Sequence, residues 1–366
     1  MLDMAKSKKM ITINGRVISE SSSPFILAEA GVNYYDIANK EDIEPLDAAK
    51  LMIAEAVHSG ADGIKFQTYK ADKLTVKNSP AYWDTTKETA KSQYDLFKKF
   101  DKFNKDDYIE LAKYSKAKKI IFMSTPFDTE AVEWLDELVP AFKIASADIT
   151  NLPFISSIAK KRKPIFLSTG ASTIEEIKDA VDVIKKEKNN QIVILHCILN
   201  YPTRYKDANL GMIVHLKNLF PNYLIGYSDH TLPDADMLVV TAAFLLGARV
   251  IEKHFTLDKT IVGNDHFHSM DSRDLKKFVD NIHLIEKTIG STKKAPLDSE
   301  SSSIKYARRS LVANIDIPKN NIIQPEMLIA KRPGTGISPK FWHDIIGKTA
   351  KRNIKKDEII SWEDIF

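Results

Sequence analysis

Short apolar runs alternate with amphipathic segments along most of this chain, and the alternation recurs eight times. Each run is rich in Ile, Val and Phe, ends in polar or Gly residues and is too short for a buried helix, so it predicts a buried β-strand. The eight predicted strands are residues 25–32, 63–69, 120–127, 141–148, 164–171, 192–199, 223–231 and 249–257.

Segments with helical periodicity separate the strands, for example residues 47–59, 105–116, 173–186 and 234–246, and another follows at 275–289. Thr173 precedes Glu175 and Glu176, and a cap hydroxyl followed by acidic side chains is typical of a helix N-terminus. Eight β-α units over about 265 residues predict the α/β fold of a (β/α)8 TIM barrel. An open doubly wound sheet is the alternative, but the strand count and the polar strand ends favour a closed barrel.

The composition changes after the last predicted helix, where a Gly-, Lys- and Ser-rich stretch predicts a linker. Beyond it, residues 317–323 with Glu326 resemble residues 354–360 with Glu363, and two copies of one turn-strand unit indicate a small β-rich module. We therefore expect three parts, which are a barrel domain over residues 1–290, a linker over 291–305 and the module over 306–366.

Composition and charge indicate which binding partners and which cellular compartment to expect for this protein. The chain has 53 Lys and Arg against 49 Asp and Glu, and this interspersed charge of +4 argues against nucleic acid but suits a small anionic substrate. The longest apolar stretch, residues 237–248, is shorter than the about 20 residues that span a bilayer, and the first residues lack the apolar segment of a secretory signal. The single cysteine, Cys197, excludes intramolecular disulfides. We expect a cytoplasmic protein without membrane association.

Polar residues at the C-terminal ends of the predicted strands are the candidates for chemistry, because barrel enzymes build their sites there. Lys65 and Gln67 share one face of their strand, as do Glu252 and His254. Buried charge is costly without a partner or ligand, so these pairs indicate a binding site, and an internal Lys–Glu salt bridge is the alternative. The candidates are Glu29, Lys65, Gln67, Ser124, Thr125, Lys143, Ser146, Asp148, Ser168, Thr169, His196, Tyr201, Ser228, Asp229, His230, Glu252 and His254.

Charges and hydroxyls in this set fit an anionic ligand. Lys65 and Lys143 supply positive charge, and Thr125, Ser146 and Ser168 supply oriented donors. Such a combination is what a phosphorylated and carboxylated small molecule requires.

Histidines in the same set fit a divalent metal. His230, His254 and Glu252 offer two nitrogens and one oxygen, a donor set for an ion that keeps open positions. Either imidazole alone could instead be a hydrogen-bonded core residue. His266 and His268 are further possible ligands, but their place in the loop after the eighth strand favours contact with substrate.

Seven short motifs in the barrel region resemble the sialic acid synthase family, and the match spans nearly the whole chain. They are residues 28–33 (AEAGVN), 65–68 (KFQT), 124–127 (STPF), 143–146 (KIAS), 167–170 (LSTG), 226–231 (GYSDHT) and 252–256 (EKHFT). Residues 331–334 (KRPG) look like the core of the antifreeze-like (SAF) domain that the family carries at its C-terminus.

This resemblance implies an enzyme that condenses phosphoenolpyruvate with an N-acetylated hexosamine and releases phosphate. It implies Mn²⁺ or Mg²⁺ on His230 and His254, proton transfer or water positioning by Glu29, and a domain-swapped homodimer. Phosphoenolpyruvate would be held by Lys65, Thr125, Lys143, Ser146 and Ser168. The sugar would be held by Gln67, Tyr201, Asp265 and the Arg332 of a neighbouring subunit, and we expect Ser228 to contact substrate as well.

Two of these residues have alternative structural roles, since Tyr201 could only pack in the cavity wall and Asp265 could only cap a loop. Two departures leave the sugar open: residues 196–201 (HCILNY) lack the Asn that neuraminate synthases often have there, and residues 263–270 (GNDHFHSM) lack their Gly-Pro-Asp pattern. The rival functions are a 3-deoxy-sugar-phosphate synthase, which takes a phosphorylated aldose, and a non-catalytic sugar-binding protein.

Overall fold

A computed structural model of the chain describes residues 9–81, 83, 88–263 and 265–366. The described chain divides into two compact units, one ending at Thr288 and the other spanning Ile289–Phe366. No helix in the described part of the chain has both the length and the apolar character needed to span a bilayer.

The first unit contains a short hairpin and an eight-stranded parallel sheet. The hairpin strands are β1 (Met10–Ile13) and β2 (Arg16–Ser19). The sheet strands are β3 (Phe25–Gly31), β4 (Gly63–Thr68), β5 (Ile121–Pro126), β6 (Phe142–Ile144), β7 (Ile165–Ser168), β8 (Ile192–Cys197), β9 (Leu224–Asp229) and β10 (Val250–His254). Their order is β5-β4-β3-β10-β9-β8-β7-β6, so the last strand pairs with the first and the sheet curls into a nearly closed barrel.

Helices lie between and after these strands, as the predicted alternation requires. Those of the first unit are α1 (Tyr34–Glu41), α2 (Pro45–His58), α3 (Ala71–Leu74), α4 (Gln93–Phe100), α5 (Lys105–Ala117), α6 (Thr129–Leu135), α7 (Leu152–Ala159), α8 (Ile174–Lys186), α9 (Gly211–Leu219), α10 (Leu238–Leu245) and α11 (Ser272–Ile289). The predicted cap at Thr173 is present, because its hydroxyl accepts from the backbone N–H of Glu176 at 3.2 Å. The predicted (β/α)8 barrel is therefore confirmed.

One predicted strand is much shorter than expected. Residues 141–148 form β6 only over Phe142–Ile144, and the chain then enters a 3₁₀ turn at Ser146–Asp148. The turn ends the strand ladder where Ser146 and Asp148 reach the barrel mouth.

Alternate side chains of the barrel strands point inward and build a separate apolar core. It contains Phe25, Leu27, Met123, Ala141, Phe166, Val193, Leu195, Leu224 and Val250. The hairpin adds Ile11, Ile13 and Ile18 to this core, all of them buried. Gly226 lies on the same side of β9, and a Cβ there would stand 2.3 Å from Leu195 Cδ2, so only glycine fits beneath that side chain.

The second unit has the internal repeat that the sequence predicts. Ile317 and Ile354, at equal positions in the two copies, pair with each other through reciprocal N–H to carbonyl bonds of 2.8 and 2.9 Å. Asn320 and Asp357, also equivalent, both adopt left-handed backbone conformations with φ of 69° and 70°. The unit contains α12 (Ser301–Tyr306), β11 (Ser310–Ala313), β12 (Leu328–Lys331) and α13 (Trp342–Ile345).

Part of the expected linker, residues 291–305, has regular structure. A 3₁₀ turn occupies Asp298–Glu300, and α12 follows it directly. Glu300 caps this turn by accepting from the backbone N–H of Leu297 at 2.8 Å. Ser301, Ser302 and Ser303 of the expected linker therefore lie in a short helix.

Candidate active site

The inward-facing positions beyond the apolar core are polar, and they open into a cavity of about 550 Å³. Along β3, for example, Phe25 and Leu27 belong to the core and Glu29 is the next inward residue. The predicted site residues that line the cavity are Glu29, Lys65, Gln67, Thr125, Lys143, Ser146, Asp148, Ser168, Tyr201, Ser228, His230, Glu252, His254 and Asp265.

Four buried charges meet at the bottom of the cavity. Lys65 Nζ contacts Glu29 Oε2 and lies 3.7 Å from Glu252 Oε2. Lys143 Nζ lies 3.5 Å from Glu252 Oε1. The structure thus contains the Lys–Glu salt bridges that were the alternative to a binding site, and it places them on the cavity wall, where an incoming anion would compete with both carboxylates for the lysines.

The two carboxyl groups differ in their pKa values. Burial raises the pKa of Glu29 to about 7, and Glu252 opposes its ionisation while Lys65 favours it. Burial also disfavours the charged form of Glu252, but Lys143 and Lys65 outweigh it and the pKa of Glu252 lies below its usual value. Glu29 is therefore the carboxyl group that can take up a proton near neutral pH.

Hydroxyl groups around the charges have different partners. Lys65 Nζ donates to Thr125 Oγ1 at 2.9 Å, and Ser228 Oγ donates to Glu252 Oε1 at 2.9 Å. Ser146 Oγ accepts from the Gly170 backbone N–H at 2.9 Å. Ser168 Oγ is buried and has no hydrogen-bond partner among the described residues. Ser168 is thus the hydroxyl most available to a ligand.

Imidazole rings converge on the wall of the cavity next to Tyr201. The His230 and His254 ring centroids are 5.4 Å apart, and the Tyr201 ring lies 4.2 Å from His230. His230 Nδ1 lies 2.9 Å from the Ile198 carbonyl oxygen, which only accepts, so Nδ1 carries a proton, and in the neutral ring Nε2 keeps a lone pair. Burial keeps the pKa of His254 well below its usual value, so its ring is neutral and suited to bind a metal.

One group of side chains in the described part of the chain could hold a metal ion, and it differs from the expected set. The ligand atoms of His254, Asp265 and His268 all lie within 4.8 Å of one another. Glu252 is absent from this group because it faces the two lysines one inward position below His254 on β10. His230 lies beside the group through its ring contact with His254.

The loop that carries Asp265 and His268 is held against the barrel by buried side chains. Asn33 Nδ2 donates to the carbonyl oxygens of Phe255 at 3.1 Å and Asp265 at 3.2 Å. His266 is fully buried, its Nδ1 lies 2.7 Å from Thr256 Oγ1, and it does not line the cavity. Neither His266 nor His268 therefore occupies the substrate-facing place that the sequence suggested for them.

The outer wall of the cavity is largely apolar. Side chains of α4 contribute Leu96, Phe97 and Phe100, and Trp83 lies beside them on the wall. The helix α4 is amphipathic and is capped by Ser92, whose hydroxyl accepts from the Asp95 backbone N–H.

Four polar candidates at the strand ends do not line the cavity, and one of them is Thr169, whose Oγ1 donates to the Leu195 carbonyl oxygen at 2.9 Å. Ser124 Oγ pairs with Thr68 Oγ1 at 2.6 Å, and His196 Nε2 lies 2.8 Å from the Ala208 carbonyl oxygen. Asp229 accepts from Lys253 Nζ at 2.6 Å, which ties β9 to β10 behind the two histidines. Strand parity alone assigns these residues to the outer face.

Cys197 lines the cavity although sequence reasoning used it only to exclude disulfides. It follows Val193 and Leu195 at period two on β8, so parity places it among the inward residues. Its Sγ lies 3.8 Å from His230 Nδ1.

Arg332 lies in the second unit, directly after β12, where it is exposed. Its assignment to a neighbouring subunit's site stays a prediction.

Two family models match this chain. The NeuB family model matches residues 52–294, and the SAF domain model matches residues 308–365. The N,N'-diacetyllegionaminic acid synthase of Legionella pneumophila is 37% identical over 99% of each chain, and its namesake from Campylobacter jejuni is 40% identical over 92% of this chain and 98% of its own.

A solved structure supports the same relationship. The N-acetylneuraminic acid (sialic acid) synthetase of Leptospira borgpetersenii serovar Hardjo-bovis, crystallised with citrate, is 34% identical, has a TM-score of 0.70 and covers 81% of this chain and 95% of its own. The expected resemblance and enzyme class, a synthase of the sialic acid synthase type, are thereby confirmed. With one family model spanning most of the barrel and relatives aligned over nearly the whole length, this chain belongs to the NeuB family.

Proposed function

We propose that this chain condenses phosphoenolpyruvate with an N-acetylated hexosamine, such as N-acetylmannosamine or a deoxy-diacetamido hexose, to form a nonulosonic acid and inorganic phosphate. The observation that carries the proposal is the pairing of Lys65 and Lys143 with Ser168 at the bottom of one cavity. Two ammonium groups and an available hydroxyl fit a phosphate and a carboxylate on one small molecule.

In the reaction, C3 of phosphoenolpyruvate forms a bond to the aldehyde carbon of the open-chain sugar. Water adds at C2 and gives up one proton, and the C2 hydroxyl then passes its proton to phosphate as phosphate leaves with cleavage of its C–O bond, which yields a 2-keto acid. The aldehyde oxygen takes up one proton. Glu29, which can hold a proton near neutral pH, is the group we assign to deliver it.

A divalent metal would be held beside His254, whose ring is neutral and whose Nδ1 is buried without a hydrogen-bond partner among the described residues. The lone pair on His230 Nε2 also fits a metal ion, as the resemblance implies. When bound, Mn²⁺ or Mg²⁺ would supply Lewis-acid polarisation of the sugar aldehyde. Tyr201 packs on His230 and keeps its ring oriented.

We infer further that the hexosamine carries no phosphate. Lys65 and Lys143 are the only lysines, and no arginine occurs, among the described residues that line the cavity, and both face the end assigned to phosphoenolpyruvate. α4 adds Leu96, Phe97 and Phe100 to the lining, and the described residues there add no positive charge for a second phosphate. An apolar wall instead suits a deoxygenated carbon of the sugar.

The resemblance also supports a domain-swapped homodimer in which Arg332 enters the partner's cavity. An exposed guanidinium beside β12 can give an N-acetyl carbonyl two directed hydrogen bonds. Several relatives are named as synthases of legionaminic or pseudaminic acid, and these names support the reaction class and leave the exact sugar to experiment.

One assay separates this proposal from its rivals. The metal-free full chain is given phosphoenolpyruvate, Mn²⁺ and a panel containing N-acetylmannosamine, its 6-phosphate, a diacetamido-trideoxyhexose and a simple aldose phosphate, and inorganic phosphate is measured. We expect release with an unphosphorylated N-acetylated sugar, loss on chelation and recovery with Mn²⁺. Release with the aldose phosphate alone would identify a 3-deoxy-sugar-phosphate synthase, and binding of sugar without any release would identify a sugar-binding protein.

A further inference from the structure

His268 lies behind the cavity wall, in the loop between β10 and α11. Its side chain is fully buried, and it does not line the cavity, so it is not placed to touch a substrate. Its ring centroid is 4.9 Å from that of His254 and 5.7 Å from that of Tyr201. The residue thus belongs to the cluster of rings around His254.

The geometry of this cluster fits a single ion. Ligand atoms of His254, Asp265 and His268 lie within 4.8 Å of one another, and His268 Nε2 is 3.8 Å from Asp265 Oδ1. Metal–nitrogen and metal–oxygen distances are about 2.0–2.2 Å, so two ligands on one ion stand up to about 4.4 Å apart. Each pair can therefore reach a common ion with only small side-chain movements.

The charge and the donor atoms of these three side chains also suit a bound cation. Asp265 offers a carboxylate on the cavity side, where 19% of its side chain is exposed, while both imidazoles are buried. One anionic oxygen and two nitrogens leave coordination positions open toward the cavity, into which Asp265 and His254 both face.

We propose that His268 is a protein ligand of the catalytic metal, together with His254 and Asp265, and that His230 approaches the same ion from the other side of His254. The inference deepens the proposed function, because the ion is the one that the condensation would use. A centre with two or three imidazoles favours Mn²⁺, Co²⁺ or Zn²⁺ over Mg²⁺, which prefers oxygen ligands and keeps its water.

The test measures binding of the metal alone. Co²⁺ and Mn²⁺ are titrated separately into the metal-free full chain, into His268→Ala and into His266→Ala, in competition with a chromophoric chelator, and the visible absorption of the Co²⁺ complex is recorded. His266 is the matched control, since it is an equally buried imidazole in the same loop that bonds Thr256 instead.

We expect His268→Ala to bind Co²⁺ and Mn²⁺ about 10-fold more weakly or worse, since even a residue that only supports a metal ligand typically contributes about 10–100-fold in affinity. The Co²⁺ absorption bands should shift in this variant and stay in place in His266→Ala. Unchanged affinity and bands in His268→Ala, or equal losses in both variants, would overturn the ligand role.

A folding control keeps the result interpretable. Thermal unfolding of each variant is followed with and without Mn²⁺, because an ion that binds only the folded chain raises the midpoint. If His268→Ala fails to fold, Asp265→Asn takes its place, and unchanged Co²⁺ bands in that variant would overturn the proposed ligand set. Metal binding through His268 without phosphate release in the sugar panel would contradict the proposed function while leaving the metal site intact.

Discussion

Glu29 and Ser168 show how single buried groups can prepare a cavity for an anionic ligand. Glu29, Lys65, Glu252 and Lys143 form a chain of alternating charges that is neutral when all four are ionised. A negatively charged ligand that binds the lysines brings its charge close to both carboxylates. Protonation of Glu29, the weaker acid of the two, would relieve this repulsion.

We therefore predict that phosphoenolpyruvate binding takes up a proton at Glu29. With a pKa of about 7 in the free site, Glu29 is mostly ionised at pH 8 and mostly protonated at pH 6. A bound anion raises this pKa, so uptake should approach about one proton at pH 8 and vanish at pH 6, and affinity should fall as pH rises above about 7. Calorimetry in buffers of different ionisation enthalpy measures the uptake.

The control for this prediction is Glu29→Gln, which cannot titrate but keeps the shape of the side chain. Its phosphoenolpyruvate affinity at pH 8 should exceed that of the parent, and the proton uptake should disappear. Equal uptake in parent and variant would assign the proton to another group, such as the ligand phosphate itself.

Two serines in the cavity, Ser168 and Ser146, allow an effect on ligand binding to be distinguished from an effect on stability. Ser168→Ala removes a hydroxyl without a partner among the described residues, so the free energy of unfolding should change by less than about 1 kcal/mol while phosphoenolpyruvate binds more weakly. Ser146→Ala also leaves the Gly170 backbone N–H without its acceptor and should destabilise the fold by about 1–3 kcal/mol. Urea unfolding and phosphoenolpyruvate titration check both variants, and a large stability loss in Ser168→Ala would contradict this difference.

The hairpin β1–β2 is an element whose role appears only in the folded barrel. Asn14 and Gly15 both have positive φ, as a two-residue hairpin turn requires, and the strands deliver Ile13 and Ile18 to the inner core. An apolar barrel interior exposed at this end would be costly in water. The hairpin therefore completes the core below the charged layer of the site.

We predict that Ile18→Ala lowers the free energy of unfolding by about 2–5 kcal/mol, because it removes a fully buried side chain. The neighbouring Val17 on the same strand is 41% exposed, so Val17→Ala should cost less than about 0.5 kcal/mol. Denaturant unfolding measures both. Similar losses in the two variants would show that the hairpin does not contribute to the core.

The second compact unit carries Arg332, which we expect at the active site of a partner subunit. The second unit has its own core, in which equivalent residues of the repeat, such as Ile323 and Ile360, are both buried. A unit with its own core can carry Arg332 as an independent structural part. The family resemblance makes the partner's cavity its expected destination.

We predict that two inactive variants, Arg332→Ala and His254→Ala, regain activity when mixed under conditions that allow subunit exchange. A heterodimer that docks in trans contains one cavity with His254 and the partner's Arg332 both intact. Phosphate release from phosphoenolpyruvate should return in part. If each chain uses its own Arg332, every cavity in the heterodimer keeps one defect and no activity appears.

The sequence by itself determined the strands, the barrel and most of the cavity wall. Apolar period-two runs predict strands because a barrel strand needs alternate side chains for an inner core and an outer helix layer, and the same parity carries Lys65 and Glu252 to the inside. The sequence also contains a signal for the hairpin, which was not among the predicted elements: Asn14-Gly15 between alternating apolar residues is typical of a two-residue hairpin turn. The internal repeat in the second unit could also be predicted, because its two copies have the same spacing of apolar residues.

Only the tertiary structure decided which charged groups share a partner. Lys65 faces both Glu29 and Glu252 because β4 and β10 flank β3, an adjacency that follows from barrel closure and not from sequence distance. His268 reaches His254 because its loop folds back on the barrel, held by Asn33, and no periodicity specifies that path. The local hydrophobic pattern predicts whether a strand residue faces the inside or the outside of the barrel. The pKa values and the metal ligands instead depend on distances of a few ångströms between segments that are far apart in the chain.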